Sequence, residues 1–359
     1  MVEYIAFYLP QFHPVPENDK WYGKGFTEWT NVAKAKPLYQ NHYQPHVPAD
    51  LGFYDLRVKE TRQEQAKLAK DYGLTAFCYW NYWFGDGVEL LQNPIREVYN
   101  DKEINFPFCL GWANHSWEKK QWDKKGSNEL LVEQKYLGVE DYKKYFYTYL
   151  DIFKDERYYK VEGKLFFIIY SPLADEEIVS FINTWRNLAK KEGLSDFYFV
   201  GKDMSGVNKD KIMSIGVDAV FEDNTLNIHH ELTTISKVLQ LIKRKVFRRP
   251  TVFKYKEAIK YMIDDSAKDE NVIPVVAPNW DHSPRSGNNA MILDNAKPKY
   301  FADLLKETVK TVRSKPRSKQ QVIIKSWNEW GEGNHLEPDL KYGLGYLEAV
   351  KKSIEEIYD

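Results

Sequence analysis

Eight short apolar segments of strand length recur along the chain, and amphipathic stretches or long polar loops separate them. Each segment is rich in Ile, Val, Phe, Tyr or Leu, with little alternation between apolar and polar residues. Such strands are typical of a parallel sheet that is covered on both faces. The predicted strands are Tyr4–Leu9, Leu74–Trp80, Phe106–Trp112, Leu165–Tyr170, Phe197–Gly201, Asp218–Glu222, Val272–Ala277 and Val322–Trp327.

Helical segments lie between these strands. The clearest is Leu56–Tyr72, which ends at Gly73, a residue suited to the position after a helix. Eight alternations of strand and helix close naturally as an α/β fold, the (β/α)8 TIM barrel. Barrels of this length are usually one domain, so we predict a single domain over residues 1–359. The other predicted helices are Asp175–Lys191, Phe253–Lys268, Tyr300–Arg313 and Leu344–Tyr358, with an additional helix within Asp223–Arg249.

The main alternative is an open, doubly wound sheet. Against it, no G-x-G-x-x-G follows the first strand and no G-x-x-x-x-G-K-[ST] occurs in the sequence. Three connections that follow a strand are also too long to be plain turns, namely Pro10–Tyr54, Ala113–Gly138 and Asn279–Lys297. In a barrel these loops lie on the C-terminal face, where long loops build binding sites.

Charge and apolar content exclude several functional classes. The chain carries 51 basic and 52 acidic side chains, whereas a dedicated nucleic-acid-binding protein would carry a basic excess. No apolar run approaches the roughly 20 residues of a membrane span. No signal-peptide pattern is visible, and Cys78 and Cys109 lie in apolar runs as buried thiols. We therefore expect a cytoplasmic protein with no nucleic-acid partner and no stable membrane insertion.

Two further groups of polar residues are candidate binding sites. Basic clusters at 243–249 and 313–319 could make peripheral contact with anionic lipid, although such clusters are more often solvated surfaces. His42 and His46 lie in a loop with Pro45, and no helical H-E-x-x-H or cysteine pair accompanies them. We predict a loop-anchoring role for these histidines, and neither a metal nor a cofactor.

Tryptophan is concentrated at one end of the predicted barrel. Ten of the 11 tryptophans map to strand exits or to the loops that follow them, and only Trp185 lies within a helix. A single such residue would most simply pack a loop, but loop packing does not account for the shared location. Sugar rings stack their C–H faces on aromatic rings and offer hydroxyls to carboxylates and amides. We therefore predict an oligosaccharide or polysaccharide substrate.

Polar and aromatic side chains at the strand exits form the predicted sugar-binding set, because the exits of parallel strands meet at one face of a barrel. The set is Tyr8, Gln11, His13, Glu28, Trp29, Trp80, Tyr82, Trp83, Trp112, Asn114, Trp280, Asp281, Arg285, Asn328 and Trp330.

The most specific segment is the exit of the last strand, S-W-N-E-W-G-E-G-N-H-L-E-P at residues 326–338. Glu329 and Glu332 would face opposite ways on an extended chain, but Gly331 and Gly333 let the chain turn. Two carboxylates with different exposure in an aromatic pocket acquire separate pKa values, so that one serves as acid and the other as base. Glycosidic-bond cleavage requires such a pair. The alternative is a solvated pair in a glycine-rich loop.

Four segments resemble the WbsX-type family of bacterial lipopolysaccharide and capsule loci, which is often labelled glycosyltransferase: residues 8–19, 25–57, 106–114 and 326–338. The N-E-W-x-E-G core also resembles glycoside hydrolase family 99, the endo-α-mannosidase and mannanase group on a (β/α)8 barrel. This resemblance implies that Glu329 deprotonates the sugar 2-hydroxyl and Glu332 protonates the leaving oxygen. It also implies retention through a 1,2-anhydro sugar, as suits α-mannosides.

Two departures from these families bear most directly on the predicted site. Family 99 usually has histidine where this chain has Gly331, which removes one expected substrate contact. The WbsX type commonly shows W-A-N-E-N-W after the third strand, where this chain has His115 in place of the glutamate. The second departure removes an anion from the predicted site and leaves the identity of the sugar open.

Three functions remain in competition. The leading one is a retaining glycoside hydrolase acting on an α-linked, mannose-like bacterial surface polysaccharide. The second is a glycosyltransferase of surface-polysaccharide assembly; a nucleotide-sugar donor normally needs a D-x-D, which no suitable loop carries, but a lipid-linked donor would not. The third is a glycan-binding barrel without catalysis, which the retained glutamate pair disfavours.

Overall fold

Eight parallel strands close into a barrel in the computed structural model, which describes residues 2–119, 129–204, 206–233, 236–237, 240–241, 244 and 246–355. Each strand pairs with its neighbours in sequence, and the last pairs with the first, which confirms the predicted (β/α)8 fold. The strands are β1 (Glu3–Tyr8), β2 (Ala76–Trp83), β3 (Phe108–Trp112), β4 (Lys164–Ile169), β5 (Phe197–Asp203), β6 (Ala219–Glu222), β7 (Val272–Val276) and β8 (Gln321–Ile324).

Burial on both faces explains the apolar character of these strands. All eight residues of β2 are buried, as are all five of β7. Inside the barrel, aromatic rings from different strands meet: the centroid of Phe7 lies 5.6 Å from that of Phe221 and 4.5 Å from that of Trp80. The interior is therefore a packed core, and a site can form only at its ends.

Helices cover the outside of the barrel. In α6, the residues Ile178, Phe181, Ile182 and Trp185 recur at helical spacing and are buried, so this face packs on the sheet. The helices are α1 (Pro16–Tyr22), α2 (Glu28–Lys34), α3 (Lys59–Asp71), α4 (Asn93–Asn100), α5 (Val139–Phe153), α6 (Glu177–Lys191), α7 (Lys209–Met213), α8 (Tyr255–Ala258), α9 (Ser283–Ser286), α10 (Pro298–Val312) and α11 (Gly345–Glu355). Four predicted helices correspond to α3, α6, α10 and α11; the predicted end of the last, at Tyr358, lies outside the described residues.

The prediction of one helix over Phe253–Lys268 is wrong. Its first residues belong to a strand, Thr251–Lys254, which pairs in parallel with Met291–Asp294. Threonine, valine and phenylalanine favour this extended conformation, and the pairing outweighs the helical pattern. The four-residue α8 and two separate 3-10 turns follow.

The additional helix predicted within Asp223–Arg249 falls largely outside the described residues, as do Lys243 and Lys245 of the first basic cluster. In the second cluster, Lys315 is buried and donates to the backbone carbonyl of Val272 at 2.5 Å, so it is not part of an exposed basic surface. Among the residues that the structure describes, no helix has the length and apolar character needed to cross a bilayer.

Three long loops follow β1, β3 and β7, and each carries secondary structure of its own. The first contains α1 and α2. The second forms an antiparallel ribbon of Trp117–Lys119 with Glu129–Val132, while its residues 120–128, which include Trp122, lie outside the described part. In the third, Trp280–Asp281 pairs with the strand Met291–Asp294, and α9 lies between them. These elements hold the loops over the C-terminal end of the barrel.

Candidate functional site

A cavity of about 480 Å³ opens among the loops at the C-terminal end of the barrel. Its wall includes residues from the exits of β1, β2, β3, β4, β6, β7 and β8, so it lies over the barrel axis. Both Glu329 and Glu332 line it. The aromatic part of the wall consists of Phe7, Tyr22, Phe26, Trp80, Tyr82, Trp117, Tyr170, Phe221 and Trp280.

A tight turn after β8 brings the two glutamates to the same cavity. The short strand Asn328–Glu329 pairs antiparallel with the short strand Asn334–His335. A 3-10 turn, Trp330–Glu332, lies between the two strands. Gly333 ends the turn with φ of 53°, and a Cβ there would lie 2.7 Å from the Cβ of Asp281. Both the conformation and the space therefore require glycine, and the turn predicted from the sequence is present.

Arg285 links three carboxylates at the cavity wall. Its Nη1 lies 3.0 Å from Oε1 of Glu329 and 2.7 Å from Oε1 of Glu332. Its Nε donates to Oε1 of Glu28 at 2.9 Å, and Glu28 is itself buried. One guanidinium thus offsets the mutual repulsion of three acidic side chains that come from α2 and from the turn after β8.

These contacts separate the pKa values of the two glutamates. Burial and the charge of Glu332 raise the pKa of Glu329 from 4.5 to about 7, against the opposing effect of Arg285. Burial favours a higher pKa for Glu332 as well, but Arg285 and His282, whose Nε2 lies 3.5 Å from Glu332, lower it to about 2. Between these two pKa values the pair therefore holds one proton, on Glu329.

A second ion pair lies at the cavity floor. The ammonium group of Lys325 lies 2.7 Å from Oδ2 of Asp223 and 4.4 Å from the centroid of the Trp280 ring. The positive charges of Lys325 and Lys202 hold the pKa of the buried Asp223 well below its usual range, although burial alone would raise it. Neither Asp223 nor Lys325 belongs to the predicted set, although Lys325 directly precedes the 326–338 segment and follows a buried strand.

Buried hydrogen bonds fix the backbone around the pair. Asn328 bonds both backbone polar groups of Leu9: its Oδ1 accepts from N at 2.7 Å and its Nδ2 donates to O at 3.1 Å. Glu337 accepts hydrogen bonds from Tyr54, from Gln65 and from the indole nitrogen of Trp330 at 2.9, 2.7 and 2.6 Å. The turn that carries the glutamates is therefore anchored to the first loop and to α3.

Six of the 15 predicted sugar-binding residues line the cavity together with the glutamate pair. They are Gln11, Glu28, Trp80, Tyr82, Trp280 and Arg285. The wall also contains polar residues outside the predicted sugar-binding set. These are Asn31, His115, Glu118, Lys119, Asp223, His282 and Lys325.

The other nine predicted residues do not line this cavity. Several of them bond to protein: the indole nitrogen of Trp112 donates to the carbonyl of Trp83, and that of Trp83 donates to Asp141. Among the described tryptophans, only Trp80, Trp117 and Trp280 line the cavity. The nine residues are Tyr8, His13, Trp29, Trp83, Trp112, Asn114, Asp281, Asn328 and Trp330.

Gly331 is required by its neighbours. A Cβ at this position would overlap Oε1 of Glu28 and lie 2.9 Å from Nε of Arg285. The space that a histidine would need is thus already filled by the Glu28–Arg285 pair.

We expect Gly331→Ala to displace the Glu28 carboxylate and to destabilise the fold by about 1–3 kcal/mol, as overpacking typically does. Chemical denaturation of Gly331→Ala, Glu28→Ala and the double variant measures this. Shortening Glu28 makes room for the new methyl group. Gly331→Ala should therefore lower the free energy of unfolding much less in the Glu28→Ala background. Equal costs in both backgrounds would contradict the packing argument.

The sequence matches one family model and two curated relatives along nearly the whole chain. The model of the family described as Glycosyltransferase WbsX matches residues 4–350. Two relatives from strains of Xanthomonas campestris pv. campestris, each named Uncharacterized protein WxcX, are 36% and 35% identical over 361 residues. The match covers 99% of this chain but 50% of each relative, so the chain spans about half the length of these curated relatives.

Solved structures share the barrel. One, named Glycoside hydrolase-like protein, has a TM-score of 0.58 at 15% identity, over 98% of this chain and 93% of that chain. Another is the GH99 endo-alpha-mannosidase from Bacteroides thetaiotaomicron in complex with bis-tris propane, with a TM-score of 0.57 at 17% identity, over 99% and 97%. At these identities the likeness establishes the fold.

Proposed function

This chain belongs to the WbsX glycosyltransferase family, and from that membership together with its glutamate pair we propose that it is a carbohydrate-active enzyme that cleaves α-linked, mannose-like glycans with retention of configuration. The observation that carries the proposal is the Glu329–Glu332 pair, which shares one guanidinium and one proton in an aromatic-walled cavity. Carboxylates with separated pKa values are what acid–base cleavage of a glycosidic bond needs.

In the first step, Glu329 removes the proton from the 2-hydroxyl of the sugar, and the 2-oxygen forms a bond to the anomeric carbon. The glycosidic C–O bond breaks, and its oxygen takes a proton from Glu332. In the second step, Glu332 removes a proton from water, the water oxygen opens the 1,2-anhydro ring at the anomeric carbon, and Glu329 returns the proton to the 2-oxygen. Two inversions at one carbon give net retention.

The ligand-free site holds its proton on the other glutamate, so the first step requires the proton to pass from Glu329 to Glu332 when substrate binds. Arg285 and His282 keep the pKa of Glu332 low. A sugar that moves the guanidinium away from Glu332 removes the main contact that favours its ionised form. A 2-hydroxyl that donates to Glu329 stabilises the ionised form of that residue in turn. Both changes favour the exchange.

The charge of the cavity disfavours a nucleotide-sugar donor. Of its cations, Arg285 and Lys325 are already paired with carboxylates of the same wall, and Lys119 donates to the backbone carbonyl of Trp21. A diphosphate near the pair would face Glu28, Glu329 and Glu332 together, at a high electrostatic cost. The same acid and base could instead pass the glycosyl group to a sugar hydroxyl. The reaction is hydrolysis if water reaches the anomeric carbon and transfer if a sugar hydroxyl does.

Product analysis tests the proposal. The chain is incubated with α-mannan oligosaccharides in H2¹⁸O, and the new reducing end is followed by proton NMR and mass spectrometry. We expect an α-configured product at early times, with ¹⁸O at the anomeric carbon. A β-configured first product would contradict the two-step mechanism, and products without ¹⁸O but with extended chains would assign transfer in place of hydrolysis.

The pKa values of the pair predict the pH dependence of the free enzyme. The site holds its single proton above the lowered pKa of Glu332, about 2, and loses it as the pH rises through the pKa of Glu329, about 7. Without that proton no acid is left to protonate the leaving oxygen. We therefore expect kcat/KM to fall about tenfold per pH unit above pH 7. A profile that stays flat to pH 9 would contradict the assignment.

A further inference from the structure

Three side chains able to bind a metal meet outside the catalytic cavity, where the first loop contacts the loop after β8. Nδ1 of His46 lies 3.1 Å from Nε2 of His335, and Oδ2 of Asp339 lies 3.8 Å from the same Nε2. All three potential ligand atoms lie within 4.8 Å of one another. His335 and Asp339 are buried, and His46 is half-buried.

Hydrogen bonds already orient His335 as a ligand. Its Nδ1 lies 3.0 Å from the backbone carbonyl of Glu337, which can only accept, so Nδ1 carries the proton and Nε2 presents its lone pair. The ring stacks on Trp330 at a centroid distance of 3.7 Å, which fixes its plane. A ligand histidine whose second nitrogen donates to a carbonyl is the usual arrangement around a bound metal.

Asp339 is oriented in the same way. Its Oδ1 accepts from the backbone amides of Lys341 and Tyr342 at 2.9 and 2.6 Å. This leaves Oδ2 on the side of His335. One oxygen is therefore committed to the loop backbone, and the other faces the two imidazoles.

We propose that His46, His335 and Asp339 bind one divalent transition-metal ion of the zinc type, which ties the first loop to the loop that carries the glutamate pair. Four ligands at 2.0–2.1 Å around zinc are about 3.3 Å apart. The separations of 3.1 and 3.8 Å lie close to this value, and the third, between His46 and Asp339, is at most 4.8 Å and shortens as both side chains turn toward the ion. Two imidazoles and one carboxylate favour zinc and its neighbours over magnesium or calcium.

A separate cavity gives an ion access to the cluster. It has a volume of about 230 Å³ and is lined by His46 and Asp339, and also by Asp281 and Asp294. This leaves room for a water molecule as the fourth ligand. The site is distinct from the catalytic pair, so it does not depend on the function proposed above.

The test is isothermal titration of the full chain, without a polyhistidine tag, with ZnCl2, repeated with MgCl2. We expect one zinc per chain at micromolar affinity or tighter, a higher Tm with zinc, and no comparable effect of magnesium. His46→Asn and Asp339→Asn should each weaken zinc binding at least tenfold; the amide oxygen of the second variant can still accept from the two backbone amides. Asp294→Asn is the matched control, because Asp294 lines the same cavity outside the cluster.

Circular dichroism establishes that each variant is folded, and the Co²⁺ absorption of the wild-type chain reports the ligand geometry. Intense visible bands of a four-coordinate cobalt site would support the proposal. The absence of stoichiometric zinc binding at micromolar concentration would overturn it, as would zinc binding that His46→Asn and Asp339→Asn leave unchanged, or that Asp294→Asn weakens to the same extent.

Discussion

Replacing either Glu329 or Glu332 by glutamine is expected to lower kcat/KM on an α-mannose-type oligosaccharide by about 10²–10⁴-fold, the usual contribution of a general acid or base. Glutamine keeps the size of each side chain and its contact with Arg285 through an amide oxygen, but it can neither give nor take the required proton. Steady-state kinetics of the two variants measure the loss, and their unfolding curves show that the fold is intact.

The two roles differ in their response to the leaving group. A substrate with an acidic leaving group, such as an aryl glycoside, needs little help from an acid. Glu332→Gln should therefore recover most of its activity on such a substrate, whereas Glu329→Gln should remain inactive. If Glu329→Gln recovered on the aryl glycoside and Glu332→Gln did not, Glu329 would be the acid and Glu332 the base. That assignment would match the proton position of the ligand-free site. Full activity of both variants on both substrates would show that neither glutamate is the catalytic acid or base.

Glu222 provides the matched control for these variants. It is a buried glutamate at the end of β6, its pKa is also raised by burial, and it lies outside the catalytic cavity. Its carboxylate accepts a hydrogen bond from Ser266, which a glutamine oxygen can accept equally well. We expect Glu222→Gln to keep near-normal kcat/KM, so that a loss in the other two variants reflects chemistry.

Among the substitutions proposed here, Arg285→Gln should lower the free energy of unfolding most. The guanidinium contacts Glu28, Glu329 and Glu332, and its side chain is 23% exposed. Removing one partner from a buried ion pair costs about 3–5 kcal/mol, and the partial exposure of Arg285 places this case near 3 kcal/mol at neutral pH. Chemical denaturation measures the difference. Arg57→Gln is the control, because Arg57 forms an exposed pair with Asp55 whose loss should cost less than about 1 kcal/mol.

The destabilisation should depend on pH in a defined direction. Without Arg285, the pKa of Glu329 rises further and that of Glu332 is no longer held low by this charge. A carboxyl whose pKa is higher in the folded than in the unfolded state stabilises the fold below the unfolded value and loses that contribution as the pH rises. In the wild type the pKa of Glu332, about 2, keeps this carboxylate ionised in the folded state, so the deficit of Arg285→Gln should grow from about pH 2 upward and still be growing near pH 7. A deficit that is constant with pH would contradict the role of Arg285 in holding these charges.

The barrel could be predicted from the sequence because its strands are buried on both faces. That burial leaves continuous apolar segments such as Val272–Val276, which are recognisable without any knowledge of their neighbours. The turn after β8 could also be predicted, because Gly331 and Gly333 beside the two glutamates favour a change of chain direction over a continued strand. Local sequence was sufficient wherever the structure depends on local backbone preferences.

The rest depends on contacts between distant segments. Trp112 and Trp83 lie at strand ends as expected, but they pack behind the wall, which only the loop geometry decides. Asp223 and Lys325 are 102 positions apart and meet only in the closed barrel. His46, too, meets His335 only through folding, and for that reason no local sequence pattern indicates a metal site there.

A crystal structure of the Glu332→Gln variant with an α-mannose-type oligosaccharide is the most direct measurement of the central claim, that the two carboxylates act on one bound sugar. We predict a sugar ring in the 480 Å³ cavity against the Trp80 and Trp280 wall. Its 2-hydroxyl should donate to Glu329, and its glycosidic oxygen should lie within hydrogen-bond distance of the side chain at position 332. An oligosaccharide bound outside this cavity, or one whose 2-hydroxyl and glycosidic oxygen both point away from these two side chains, would contradict the claim.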